Sequence, residues 1–177
     1  MWRKIIQVCT IILVSCSVLF LSALEAQEGE EDLLYQQLMG KLENLIPGES
    51  IEVKIGTEKE KYKVGDPFEV RFLASKDCYV VLMDISSAQK DTYGDITILL
   101  PNSKFPDNKI EAGRVYSTLF DFGMNMTVAP PYGLEVINLF CSTEKVELFE
   151  ADYEKESFYK IQHNDEGRLK ALSDRLD

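Results

Sequence analysis

The side chains able to do chemistry are few. Cys78, Cys141 and the single histidine, His163, are the parts from which a thiol nucleophile with an imidazole base would have to be built. His163 stands in the charged run Gln162-His163-Asn164-Asp165-Glu166, the setting of a surface residue. Carboxylates are plentiful, and Asp84, Asp91 and Asp95 flank one stretch where they could act as acid and base or hold a cation. They lack the regular alternation of oxygen ligands that a calcium loop needs. The glycines stand singly, so no phosphate-cradling loop is written, and neither CxxC nor HExxH occurs. One histidine leaves little material for a Ser-His-Asp triad or a His-built metal centre. The expectation is a non-catalytic protein with no cofactor and no metal.

Charge points the same way. Against 30 Asp+Glu the chain sets 19 Lys+Arg, a net charge of −11, which excludes a nucleic-acid binder of the usual basic kind. The acidic excess is interleaved with lysine, as in Glu58-Lys59-Glu60-Lys61, and reads as a solvated surface. With 45% hydrophobic and 28% charged residues in 177, one main folded domain is expected.

The N-terminus reads as an address. Met1-Trp2-Arg3-Lys4 is a short basic opening, and Ile5 to Leu24 follows without a charged residue, the pattern of an export signal. Three outcomes are open: cleavage near Ala23 or Ala26, lipid attachment at Cys16, or an uncleaved anchor through which the chain touches a membrane. Leu13-Val14-Ser15-Cys16 resembles a bacterial lipobox, although Ser17 to Leu24 stays apolar where lipoproteins usually turn polar. Cleavage would leave Cys78 and Cys141, an even pair that makes a candidate disulfide in an oxidising compartment, with two separately buried thiols as the alternative. The expected location is the periplasm or the exterior.

Behind that segment, residues 27–48 form an amphipathic helix or linker. Tyr35, Leu38, Leu42 and Leu45 fall on one face, and Pro47-Gly48 ends it. That face, within residues 33–46, could pack on the domain's own sheet or join copies into an oligomer. From Ile51 the period becomes two: Ile51, Val53 and Ile55, then Phe68, Val70 and Phe72. Cys78 to Ile85 is a continuous apolar run suited to a central strand. Further strands are expected at Ile96–Leu100, Val115–Phe120 and Leu134–Cys141, with turns at Pro101-Asn102 and Pro130-Pro131-Tyr132-Gly133. The β-domain spans residues 49–148. Residues 149–177 form a charged segment closed by a helix with Leu169, Leu172 and Leu176 on one side.

The order of motifs is the most specific feature. Tyr62-Lys63-Val64-Gly65-Asp66, Cys78 to Ile85, Ile98-Leu99-Leu100-Pro101-Asn102, Ile110-Glu111-Ala112-Gly113 and Pro131-Tyr132-Gly133-Leu134-Glu135 together resemble the bacterial domain-of-unknown-function 4384 family, over roughly Ile51 to Glu147. Leu99-Leu100, where a Phe commonly precedes Pro-Asn, and Cys78, where a small residue is usual, depart from the pattern. The resemblance implies an exported or envelope-associated domain and a mainly β fold, an antiparallel immunoglobulin-like β-sandwich here given an N-terminal helix and a short C-terminal helix. It brings no catalytic residues. The functional expectation is a non-catalytic module of the cell envelope that binds a protein or envelope ligand. Loop residues Asn102, Asp107, Asn108, Tyr132 and Gly133 are the candidate contacts, gathered at one end of the sandwich. A membrane-tethered structural component of an assembly is the alternative, and a hydrolase using loop carboxylates or the Cys-His pair is a further one.

Overall fold

The computed structural model describes residues 6–14, 30–44, 51–86, 94–130, 133–151 and 157–176. In chain order the elements are β1 (Ile6–Val14), α1 (Glu30–Glu43), β2 (Val53–Thr57), β3 (Pro67–Phe68), β4 (Val70–Ala74), β5 (Cys78–Ser86) and β6 (Ile96–Leu100). There follow β7 (Lys109–Ile110), β8 (Tyr116–Ser117), β9 (Met126–Thr127), β10 (Leu134–Ser142), β11 (Tyr159–Ile161) and α2 (Glu166–Arg175). The protein is mainly β, its strand pairs are antiparallel, and a helix lies toward each end of the chain.

The large sheet runs β1-β10-β5-β6-β11, with β7 also on β5, and a second sheet runs β2-β4-β8. Alternation along β5 sends its residues into two cores. Cys78, Val80 and Leu82 join Ile137, Leu139 and Cys141 of β10 against Val70, Phe72 and Ala74 of the second sheet. Val81, Met83 and Ile85 join Ile96, Ile98 and Phe140 against Tyr35, Leu38 and Leu42 of α1 and Leu169 and Leu172 of α2. The apolar continuity of Cys78–Ile85 follows from this, because a strand covered on both faces cannot alternate with polar residues. The register between β5 and β6 shifts between Leu82 and Met83, so two neighbouring residues, Leu99 and Leu100, enter the same core.

Tyr35, Leu38 and Leu42 of the α1 stripe are buried within the chain, one of the two coverings expected for that face; Leu45 and Pro47-Gly48 lie outside the described residues. Two expectations change. Val115–Phe120 is not a strand beyond Tyr116–Ser117. Ser117 Oγ accepts from the amides of Leu119 and Phe120, and the Asp121 carboxylate accepts from the Ser117 amide, so side chains capture the backbone and curl it. Phe120 is left 76% exposed. Beyond Val146, where the pattern loosens, Tyr159–Ile161 adds a strand to β6, and the Asp165 carboxylate caps α2 by accepting from the Arg168 amide.

Ile6–Val14 of the apolar N-terminal stretch lies along β10 as a strand. Cys16 and the candidate cleavage positions lie outside the described residues. Among the described residues no helix is long and apolar enough to cross a membrane.

Candidate functional site

At the Cys78 end of β5, strand pairing has a gap. β7 pairs with Cys78 and Tyr79, while β6 reaches no further than Leu82. Asn108 bridges the interval: its backbone carbonyl accepts from the Val80 amide at 2.9 Å, and its Nδ2 donates to the Val80 carbonyl at 2.6 Å. Backbone and side chain of one residue thus supply the pairing that a strand would, which is why Asn108 is buried. Asn102 is also buried, holding the turn after β6. Its Nδ2 donates to the Leu99 carbonyl and its Oδ1 accepts from the Lys104 and Phe105 amides. Asp107, between them, is exposed.

One polar atom in this region is left over. Asn108 Oδ1 is buried and has no hydrogen-bond partner among the described residues. Asn108 belongs to the wall shared by two spaces. One, of about 10 Å³, lies between Asn108, Tyr79, Ser142 and Leu148 and has the size of a single water. The other is an open cleft of about 360 Å³ between the Pro101–Asn108 turn and residues 145–151. Pro101, Pro106 and Phe149 give it apolar walls, and Lys145 and Glu147 stand exposed at its side. Phe149 is held by stacking on Tyr159 at 4.9 Å. Lys145 and Phe149 were not singled out in the sequence, because their place beside Asn108 depends on how the chain returns after β10.

The expected single cluster of loops is not formed. Gly133 leads into β10, whose Glu135 pairs with Ser86 at the far end of β5, whereas Asn108 pairs with Val80. Six residues of strand separate the two, about 20 Å. Asn102, Asp107 and Asn108 are therefore neighbours and Gly133 belongs elsewhere; Tyr132 lies outside the described residues.

The far end of β5 carries a different feature. Asp84 and Glu135 are diagonal neighbours on one face of β5 and β10. Asp84 Oδ1 is sealed from solvent without a partner among the described residues. Burial, and then the charge of Glu135, push the Asp84 carboxyl up to about 7, and burial raises Glu135 as well. The sequence did hold a signal for this, a lone carboxylate inside the apolar run Met83-Asp84-Ile85. Asp95 is not its partner, since Asp95 accepts instead from the His163 amide at 3.2 Å; Asp91 lies outside the described residues.

Cys78 and Cys141 are not joined by a disulfide, and both are buried on one face. Each lies near the start of β5, and the hydrogen bond with Cys141 holds the Cys78 thiol below its usual range. The candidate bridge is therefore a pair of adjacent thiols in this structure. His163, beside Asp95, belongs with the Ile96–Ile85 end of the sheet. It lies five or more strand residues, about 17 Å, from the position of either thiol, and no Cys-His dyad is assembled. Among the described residues no group of three or more His, Cys, Asp or Glu side chains could hold a metal ion.

Comparison with known proteins adds one match. No curated protein and no solved structure matches the chain. Residues 61–145, from the turn before β3 through β10, match the family described as domain of unknown function DUF4384, and over that stretch the resemblance carried by the five motifs holds.

Proposed function

We propose that this is an exported, non-catalytic module of the bacterial cell envelope that binds a protein or envelope ligand. The two facing sheets support an immunoglobulin-like sandwich as its scaffold, to which a helical layer is added. The observation that carries the binding role is the cleft beside Asn108. A preformed concave space with apolar walls and charged groups at its side is suited to a ligand with an apolar body and polar or charged groups. The basic opening and apolar run of the N-terminus support export.

The test is capture from the native envelope, followed by titration of the captured component with purified variants. Lys145→Glu changes the charge of the cleft at an exposed residue and should weaken binding about tenfold, a loss of about 1.4 kcal/mol. Lys54→Glu, exposed on β2, should leave it unchanged. Equal loss in both variants, or in neither, rejects the cleft as the binding site. Recovery of the protein in the cytosolic fraction rejects export.

A further inference from the structure

The outer edge of β10 has the properties of a strand acceptor. β10 is nine residues long, and its inner edge pairs with β5 from Glu135↔Ser86 to Ser142↔Tyr79. Its other edge takes β1 along the whole length, from Ile6↔Ser142 to Val14↔Leu134. No other strand among the described residues lies on that edge. β10 also lacks the devices by which exposed edges are normally protected: its sequence Leu-Glu-Val-Ile-Asn-Leu-Phe-Cys-Ser contains no proline, no lysine and a single charge, Glu135. Ile137, Leu139 and Cys141 are fully buried, which fixes the strand's face and hence the register open to an added strand.

The occupant seen here defines the chemistry that the edge takes. Ile-Gln-Val-Cys-Thr-Ile-Ile-Leu-Val is uncharged, rich in β-branched residues and free of proline and glycine. It also lies inside the segment read as the export signal, so processing after Ala23 or Ala26 would take β1 away and leave a row of backbone donors and acceptors unpaired. We propose that the outer edge of β10 in the exported protein is a strand-acceptor site, filled by an extended, uncharged, apolar segment of a second polypeptide that adds antiparallel in the register of β1. The proposal rests on the export reading above but not on the cleft. The ladder supplies affinity whatever the side chains, and the paired face supplies selectivity. The net charge of −11 disfavours an acidic segment.

The experiment begins with the whole chain. A specific protease site is inserted between Gln27 and Glu28, and the chain is folded intact and then cut. A labelled peptide with the sequence of residues 6–14, carrying two lysines at one end for solubility, is added. The cut fragment should stay with the body and exchange with the labelled peptide, which should leave the outward-facing amides of Glu135, Ile137, Leu139 and Cys141 at least about tenfold better protected from hydrogen exchange than without peptide. A peptide carrying Ile11→Pro, which removes the ladder donor opposite Ile137 and adds a clash, should bind about tenfold more weakly. Loss of the fragment with no uptake of peptide by a folded body overturns the proposal, as does protection outside residues 134–142. A dimer of the cut body protected at 134–142 without peptide assigns the edge to a second copy and overturns the proposed occupant. If the cut body precipitates, the uncut chain decides: unprotected amides at Glu135, Ile137, Leu139 and Cys141 overturn the site, while protection there that Ile11→Pro in the whole chain reduces about tenfold supports it. Lys145→Glu should leave peptide uptake unchanged, which separates this outcome from failure of the cleft.

Discussion

The two ends of β5 treat buried polar groups in opposite ways. At the Cys78 end the chain answers most of them with neutral amides: Asn102 satisfies a carbonyl and two amides of its own turn, and Asn108 closes the gap between β7 and β6 on Val80, with its Oδ1 left unpaired among the described residues. At the Ser86 end, Asp84 lies half-buried beside another carboxyl, and its sealed Oδ1 finds no partner among the described residues. Amide side chains can donate and accept locally and carry no charge, so burying them costs little once paired. A carboxyl in the same circumstances has to take up a proton or remain an unfavourable charge. The first end therefore stabilises the fold at any ordinary pH. The second makes stability depend on pH.

The largest effect should come from breaking the well-satisfied end. Asn102→Ala removes one donor and an acceptor shared by two amides, leaving the Leu99 carbonyl and the turn without their side-chain partner. At about 1 kcal/mol for each lost bond, destabilisation of about 3 kcal/mol is expected in urea unfolding. A change under about 1 kcal/mol would mean that the turn is held by its backbone bonds alone.

At the other end the sign reverses. The folded carboxyl of Asp84, at about 7, lies above its ordinary 3.8, so between those values the folded state holds more protons than the unfolded one. Stability is then full below about pH 4 as far as this group is concerned, and falls as pH rises toward 7. The separation corresponds to a ceiling on the order of 4 kcal/mol, and because the residue keeps partial contact with solvent we expect about half of it. Asp84→Asn should therefore stabilise the protein by about 2 kcal/mol at pH 8, flatten the slope between pH 4 and 7, and change little at pH 4. Destabilisation at pH 8 would show that the charged form has a favourable partner.

How much of this could be read from the sequence depended on whether a local pattern decided the outcome. The period of two in Val70–Ala74 and the continuous run in Cys78–Ile85 report burial directly, so the strands and both cores follow. Tyr35, Leu38 and Leu42 likewise identify the buried face of α1, although not whether another copy or the chain itself would cover it. Val115–Phe120 misled because its apolar residues suit a strand while Ser117 and Asp121 compete for the amides, and only their geometry shows which wins. Asn102 was legible as a turn residue and Asn108 as a loop residue. Their place in one cluster with Gly133 was not, since strand register decides which loops share an end. The cleft depends on residues 145–151 returning beside Asn108, a distant contact with no local signature.

A smaller effect isolates Asn108. Replacement by alanine loses the donor to the Val80 carbonyl but also removes the unpaired Oδ1, so the two changes partly offset each other. The expected cost is about 1 kcal/mol in urea unfolding, well below that of Asn102→Ala. Equal costs for the two asparagines would mean that Oδ1 has a partner in solution, and the contrast between a fully and a partly satisfied amide would fail.

The finest test separates the two causes acting on Asp84. Burial is the larger and the charge of Glu135 the smaller, so Glu135→Gln removes the second while leaving the shape of the strand pair intact. The midpoint of Asp84, followed by NMR of its carboxyl carbon, should move down but stay well above the ordinary 3.8. The stability gained near pH 7 should be only a few tenths of a kcal/mol, because the diagonal pair is separated by a strand spacing and partly screened. A return of Asp84 to the ordinary carboxylate range on removing Glu135 would invert the order of causes. The far end of β5 would then be governed by repulsion between two carboxylates, and desolvation would be the minor influence.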